Sequence, residues 1–126
     1  MIRLVQRRLI IPQGDTGKFT IPLQGTIEAN DKAIISIYDN LTHTTVLEKE
    51  MTQEENTLVY NFKTEDTINI EPDDRGNRYV WDIVIQRNPV YDENQELIHY
   101  DSVDSYYAAF SLPSCVIKRV TRNVQE

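Results

Sequence analysis

Apolar and polar residues alternate along most of this chain, and this alternation predicts β-strands. Side chains on a strand point to opposite faces with a period of two. Residues 18–24 place Phe19, Ile21 and Leu23 on one face. Pro22 lies on the other face and has no amide hydrogen to donate to a strand ladder, so we expect this strand at a sheet edge.

Residues 78–86 form the strongest predicted strand. One face of it carries large apolar side chains, namely Tyr79, Trp81, Ile83 and Ile85. Val80 and Val84 make the opposite face largely apolar too. A strand that is apolar on both faces is typical of a sheet centre, so we predict that the Trp81 ring lies between two layers.

The same pattern predicts several further strands, over residues 33–38, 57–63, 97–101, 106–112 and 116–120. In the opening segment the apolar positions change parity, from Ile2 and Leu4 to Leu9 and Ile11. A regular strand cannot keep both pairs on one face, so we expect a bulge or bend near residues 6–8.

No stretch shows the apolar spacing that would demand a helix, and we expect residues 51–56 to hold a turn at most. About eight strands separated by turn signals predict an all-β, antiparallel β-sandwich that spans residues 1–126 as one domain. We predict a core that contains Phe19, Ile21, Leu23, Ile35, Tyr60, Phe62, Tyr79, Trp81 and Ile83.

Length and composition narrow the classes of protein. A chain of 126 residues suffices for one domain, and its net charge is −7. No apolar run reaches the roughly 20 residues of a membrane helix, and the first residues lack the apolar region of a signal peptide. We therefore expect neither a membrane nor an export role. The single cysteine, Cys115, cannot form a disulfide within the chain.

Charge is distributed unevenly along the chain. Of the 20 acidic residues, 18 fall between Glu28 and Asp104, whereas a basic group lies near the two termini. That group contains Arg3, Arg7, Arg8, Lys118, Arg119 and Arg122. If the first and last strands are neighbours, these residues form one basic margin. They are either solvated positions of edge strands or a docking surface for an acidic partner. Nucleic acid is not expected, because a −7 chain repels phosphate.

Catalytic and metal-binding signatures are absent from the sequence. No G-x-S-x-G elbow is present, and the two histidines, His43 and His99, have no paired ligand spacing. We interpret Cys115 as a small buried hydrophobe. Asp82 interrupts an apolar strand, so its carboxylate must find hydrogen-bond donors, reach solvent or shift its pKa. We therefore predict no catalytic residue, no metal and no cofactor.

Two features leave a binding role open. Residues 92–96 place oxygen ligands at alternate positions, but they lack the glycine and the distal glutamate of a calcium loop, so a polar hairpin tip is the favoured interpretation. Seven tyrosines are present, and Tyr106 and Tyr107 must point to opposite faces of a strand. An exposed tyrosine suits a protein interface or sugar stacking. The predicted interface residues are Arg7, Arg8, Lys118, Arg119, Tyr106 and Tyr107.

Three segments together carry a resemblance to a known family. Gly14-Asp15-Thr16 leads into residues 18–23, residues 78–85 follow a dense turn, and residues 117–122 close the chain. In this order they resemble the N-terminal domain of baseplate upper proteins, from tailed phages and prophages of Gram-positive bacteria. The resemblance implies an immunoglobulin-like β-sandwich that acts as an assembly module in a tail or baseplate, without cofactor or catalysis.

The resemblance also implies a location and partners. We expect a structural, non-enzymatic virion protein, made in the bacterial host cytoplasm, that docks through sheet edges and exposed aromatic residues. Members of the family continue into helical or receptor-facing regions, whereas this chain stops at Glu126. Its expected partners are therefore further copies of itself or other phage structural proteins. The alternative is a carbohydrate-binding sandwich that uses Trp81 or surface tyrosines against a glycan.

Overall fold

The computed structural model of the chain describes residues 1–107 and 111–120, and it is all-β. Strands hold 54% of these residues and helices 4%. The strands are β1 (Arg3–Val5), β2 (Arg8–Pro12), β3 (Gly17–Pro22), β4 (Lys32–Asp39), β5 (Thr44–Glu54), β6 (Thr57–Phe62), β7 (Tyr79–Arg87), β8 (Val90–Tyr91), β9 (Leu97–His99), β10 (Ser102–Ser105) and β11 (Ser114–Lys118). A four-residue helix, α1 (Thr64–Thr67), follows β6. No helix in the described ranges is both long and apolar enough to cross a membrane.

Nine strands form one large, nearly closed sheet. Its order is β1-β2-β11-β7-β4-β5-β6-β3, and β10 pairs with β7 beside this path. The two ends of the sheet approach each other, since a Cβ atom on Gly17 would lie 3.8 Å from Cδ1 of Ile2. Strands β2 and β11 run parallel. The wholly antiparallel arrangement expected from the sequence is therefore wrong at this pair.

The positions of β7 and β3 follow from their sequences. Strand β7 pairs with β4 along its whole length up to Gln86, and β11 and β10 share its other side. Its predicted central place is confirmed. Strand β3 ends the sheet order and pairs only with β6 among the described strands. The edge position that Pro22 predicted is confirmed as well.

The core lies on the inner face of the curved sheet. Trp81 is fully buried, and its ring meets the edge of the Phe19 ring at 5.9 Å between centroids. This contact joins β7 to β3, at the other end of the strand order. Among the predicted core residues, Phe19, Ile21, Ile35, Phe62, Tyr79, Trp81 and Ile83 are buried. Leu23 and Tyr60 are only partly buried and pack against this core from its margin.

The parity change in the opening segment arises from a hairpin turn rather than a bulge. Val5 of β1 pairs with Arg8 of β2, so Gln6 and Arg7 form a two-residue turn. Both turn residues have positive φ angles, 58° and 104°, as the tight turns of β-hairpins often require. The turn reverses the chain, which places Leu4 and Leu9 opposite each other across the hairpin.

Several predicted strand boundaries need correction. Residues 51–54 belong to β5 rather than to a turn, and only residues 55–56 form the turn into β6. The predicted strand over residues 97–101 is shorter and ends at His99, and the last strand ends at Lys118. The predicted strand over residues 106–112 is wrong where the structure describes it, because Tyr106 and Tyr107 form a bend and Ser111 a helical turn. Residues 108–110 lie outside the described ranges.

Strands β10 and β11 act as two parts of one interrupted partner of β7. Both run antiparallel to β7, β10 along its C-terminal half and β11 along its first two residues. Between them the chain leaves the sheet opposite Asp82. The Asp82 carboxylate accepts hydrogen bonds from the backbone N–H groups of Ile83 at 2.8 Å and Tyr107 at 3.2 Å and from the Ser105 hydroxyl. Asp82 therefore anchors the point where the chain departs.

Candidate interaction surfaces

The first hairpin and the last strand build a basic face. Because Leu9 and Ile11 of β2 are fully buried, the alternate residues Arg8 and Ile10 face outward. Arg3 of β1 pairs with Ile10 and shares its side. On β11 Cys115, Val116 and Ile117 are all buried, the Val116 side chain beside Gly76, whereas Lys118 is exposed. We define the basic face as Arg3, Arg7, Arg8, Lys118 and Arg119 with the apolar residues between them.

The basic side chains of this face form no ion pair within the described ranges, and the one carboxylate bonded to the face, that of Asp74, accepts the backbone N–H of Arg119. None of its five basic residues forms an ion pair with a described residue, and no Asp or Glu occurs in residues 1–12 or 114–120. Arg8 donates a hydrogen bond from Nε to the Ser114 hydroxyl at 3.0 Å. Unpaired like charges repel one another, so an acidic partner would gain energy by binding here.

Arg7 joins the basic face to the core. Its guanidinium lies 5.1 Å from the centre of the Tyr107 ring, a cation–π distance. The Tyr107 ring in turn contacts the Trp81 ring edge to face, at 5.2 Å between centroids. The Trp81 indole N–H donates to the Arg7 carbonyl oxygen at 2.9 Å. The position of the hairpin turn is therefore fixed by the central tryptophan.

The two tyrosines predicted to form an exposed aromatic surface serve the fold instead. The Tyr106 hydroxyl accepts a hydrogen bond from the Gln24 N–H at 2.9 Å and donates one to the Pro22 carbonyl at 3.0 Å. Both Tyr106 and Tyr107 are partly buried against the core, and burial raises the pKa of both phenols. The expectation that the two rings lie on opposite faces of a strand, one of them exposed, is therefore wrong, because both residues lie in a bend and both are partly buried.

The predicted basic margin divides into two ends. Arg7 and Arg8 lie at the hairpin turn, whereas Lys118 pairs with Pro12 at the opposite end of β2. The backbone N–H of Arg119 donates to the Asp74 carboxylate at 2.8 Å. Arg122 lies outside the described residues. The first and last parts of the chain are neighbours, as the basic margin required, because β2 pairs with β11. The basic residues are spread along the length of these two strands and do not form a single cluster.

A second surface of opposite charge lies in residues 88–101, which we call the acidic arm. Strands β8 and β9 form a two-stranded sheet separate from the large one. The arm carries four acidic residues and no Lys or Arg. Of the four, Asp92, Glu93 and Glu96 form no ion pair with a described residue, and Asp101 lies 3.4 Å from His99. The arm touches the large sheet where the Lys32 Nζ lies 4.2 Å from the Tyr91 ring centre.

The acidic arm also exposes apolar side chains. Ile98 is 64% exposed, and all three residues of β9 are exposed. Among the described residues, eleven large apolar side chains are exposed. Four of them lie in the arm (Val90, Leu97, Ile98 and Tyr100) and three on or beside the basic face (Met1, Val5 and Val120). Exposed apolar patches mark interaction sites more often than isolated apolar residues do.

The residues proposed for chemistry all have structural roles or stand alone. Cys115 is fully buried, and burial raises the pKa of its thiol, so the thiolate that a nucleophile needs is disfavoured. Asp82 is occupied by hydrogen-bond donors. The Asp92 carboxylate accepts the backbone N–H groups of Asn94 and Glu96, both at 2.9 Å, and so closes the arm's turn. No cluster of three potential metal ligands occurs among the described residues.

An ion-pair corner escaped sequence reasoning. Arg78 donates from Nε and Nη2 to the two Asp39 carboxylate oxygens, at 3.0 and 2.9 Å, and from Nη1 to Glu71 at 2.6 Å. The Asp39 side chain is 3% exposed. The Arg78 guanidinium holds the pKa of Asp39 well below its ordinary range, against the effect of burial. A cleft of about 430 Å³ opens beside this corner, lined by Asn40, Leu41, Glu71, Pro72, Asp73, Asn77 and Arg78.

Comparison with known proteins adds no relative. No protein-family model, no curated protein and no solved structure matches this chain.

Proposed function

We propose that this chain is a non-enzymatic assembly module of a phage or prophage particle, located in the tail or baseplate of the virion. The observation that carries the assembly role is the pair of charged, partly apolar surfaces described above. A module that binds other proteins needs exposed apolar area framed by polar groups. The basic face and the acidic arm each combine the two.

The phage assignment is supported by the resemblance of three segments to baseplate upper proteins. In the fold the first segment leads into the edge strand β3, the second lies in the central strand β7 from Tyr79 onward, and residues 117–118 of the third end the last described strand, β11. We further propose that the domain is an immunoglobulin-like sandwich, which the contact between Phe19 of β3 and Trp81 of β7 favours.

The mode of docking proposed here differs from the one expected from the sequence. Tyr106 and Tyr107 contact their own chain, so we assign docking to the basic face and the acidic arm. The carbohydrate-binding alternative loses its main residue, because Trp81 is fully buried and cannot stack on a sugar ring. Tyr100, which is 42% exposed, is the aromatic residue of the arm that a glycan could still reach.

The test of this function is the presence of the chain in purified particles. Particles induced from the bacterium that encodes the chain are separated on a density gradient, and the chain is quantified by mass spectrometry against a known virion protein. We expect a constant copy number per particle across independent preparations. A chain that stays in the soluble fraction contradicts the proposal, and millimolar binding to a glycan by such a chain would favour the carbohydrate-binding alternative.

A further inference from the structure

The basic face and the acidic arm are complementary in charge. Residues 1–12 and 114–120 carry five basic side chains and no acidic one, and the arm carries four acidic side chains and no Lys or Arg. The five basic side chains of the face form no ion pair with a described residue. The same holds for Asp92, Glu93 and Glu96 of the arm. Complementary patches of this kind steer association and fix orientation.

The two surfaces are also complementary in apolar content. Seven of the eleven exposed large apolar side chains among the described residues belong to them, four on the arm and three on or beside the basic face. A charge pair at an interface contributes little by itself when solvent reaches it. Apolar contact supplies the non-directional gain, and surrounding charges then set the register of the partners.

The arm of a chain is held away from its own basic face. Arg87, just before the arm, donates to Asp31 and to Asp104, both at 2.8 Å, and β10 pairs with β7 just after it. Trp81, six residues before Arg87 on the same strand, fixes the hairpin turn of the basic face through its indole N–H. No hydrogen bond within the described ranges joins the arm to the basic face. Among the described residues, therefore, neither surface is covered by the other surface of the same chain.

We infer that the chain associates with itself head to tail, the acidic arm of one copy binding the basic face of the next. This inference rests on the proposed assembly function, whose partner it identifies as a second copy. A contact between two different surfaces of identical chains is heterologous, so it forms a ring when the rotation closes and a filament when it does not. A standard interface buries about 800 Å² per partner. That is about a tenth of the 8027 Å² surface of this chain.

Two half-blocked variants of the full chain test the inference. The variant Glu93→Lys with Glu96→Lys reverses the arm but leaves the basic face intact. The variant Arg3→Glu with Lys118→Glu reverses the face but leaves the arm intact. These four side chains form no hydrogen bond or ion pair with a described residue, so both variants should fold. We expect the wild-type chain to show a mass that rises with concentration in size-exclusion chromatography with light scattering.

Mixing the variants gives the decisive measurement. Each variant alone should weaken association by about tenfold or more, because lysine would meet arginine or glutamate would meet glutamate. In the mixture the intact face of the first variant and the intact arm of the second can still pair. In the same way, the two reversed surfaces attract each other. We therefore expect the mixture, and a chain that carries all four substitutions, to recover association.

A matched pair of apolar substitutions tests whether apolar contact contributes to the proposed interface. Ile98 is 64% exposed in the arm, and Leu41 is 68% exposed near the Arg78 corner, outside both surfaces. We expect Ile98→Ser to raise the dissociation constant by about tenfold and Leu41→Ser to change it by less than about twofold. Equal effects of the two substitutions would contradict the inference.

Three further outcomes overturn the inference. They are a wild-type chain that stays monomeric at its highest soluble concentration, variants that associate like the wild type, and a mixture that stays monomeric although the wild type associates. The last would indicate a symmetric contact between like surfaces. Particle content is measured separately. A monomeric chain found in virions refutes self-association alone, and an associating chain missing from virions refutes the phage function alone.

Discussion

The Arg78 corner and the basic face use the same kind of side chain in opposite ways. At the corner, the Arg78 side chain is 17% exposed and spans Asp39 and Glu71 with three short hydrogen bonds. On the basic face, Arg3 and Lys118 have no charged partner among the described residues. The Arg78 cation ties the start of β7 to the end of β4, whereas the Arg3 and Lys118 cations leave their charges available to another molecule.

The difference follows the distribution of acidic residues along the chain. Basic side chains in the acid-rich middle find carboxylates near them, and four of them form ion pairs: Lys32, Lys49, Arg78 and Arg87. The terminal strands β1, β2 and β11 contain no acid. Stability should therefore depend on the paired charges of the middle, and association on the unpaired charges of the termini and of the acidic arm.

The largest expected effect comes from breaking the corner. Asp39→Asn removes the negative charge that faces the Arg78 guanidinium and leaves a cation with only Glu71 beside it. Breaking a buried ion pair in this way destabilises a protein by about 3 kcal/mol. Urea unfolding followed by Trp81 fluorescence measures the change in the free energy of unfolding.

Glu48→Gln is the matched control for this prediction. It neutralises one carboxylate on the neighbouring strand β5, but Glu48 is exposed and has no ion-pair partner among the described residues. We expect a change within about 0.5 kcal/mol. Equal losses in the two variants would mean that the corner contributes no more to stability than any surface carboxylate.

Low pH should remove the stabilisation that the Asp39–Arg78 ion pair gives, without any substitution. The pKa of Asp39 in the folded chain lies well below its ordinary value, chiefly because Arg78 donates hydrogen bonds to the carboxylate. The unfolded pKa is about 3.9, so this contribution is complete above that pH and is lost as pH falls toward the folded pKa. The difference in unfolding free energy between wild type and Asp39→Asn should therefore shrink below about pH 4. A constant difference down to the acid limit would contradict this assignment.

How far sequence reasoning reached depends on how local each signal is. The central place of β7 could be predicted, because Val80 and Val84 make its second face apolar. The edge place of β3 could be predicted from Pro22. Strand β5 was missed, because its buried residues Leu47 and Met51 are four positions apart. The residue between them on the same face, Lys49, pairs with Ile35 and reaches Asp66 at 3.8 Å instead of filling the core.

The candidate surfaces divide in the same way. The basic face could be predicted, since clustering of like charge near both termini is visible in the linear sequence. The Arg78 corner could not, because Asp39 and Arg78 meet only through the pairing of β4 with β7. The acidic arm was predicted as an ordinary strand and hairpin tip. Both faces of β9 are exposed to solvent, and the alternation of residues 97–101 gives no sign of this.

Gly76 lies between the Arg78 corner and the basic face. Substituting it should give the next largest change in the free energy of unfolding. Gly76 lies in the turn before Arg78 and has a φ angle of 76°. A Cβ atom there would lie 2.9 Å from Cγ2 of Val116, a β11 residue between the basic side chains. We expect Gly76→Ala to lower the free energy of unfolding by about 2 kcal/mol, from backbone strain and this clash together.

Gly25→Ala separates the two causes. Gly25 has a similar φ angle of 81°, but nothing lies within 4 Å of its Cβ position. We expect it to cost about 1 kcal/mol, the strain component alone. Equal losses of unfolding free energy at the two positions would show that the turn at Gly76 can move to relieve the clash with Val116. Both values come from the same urea unfolding measurement.

The smallest expected effect on stability belongs to the basic face itself. Arg3→Glu with Lys118→Glu breaks no ion pair or hydrogen bond within the described residues, so the free energy of unfolding should change by about 0.5 kcal/mol or less. The direction should be a slight gain, because the substitutions relieve repulsion among the five cations. Unfolding is measured at a concentration where the chain is monomeric, so that loss of association does not enter. A loss as large as that of Asp39→Asn would mean that these cations hold the fold together, which would remove the contrast between a structural and an available charge.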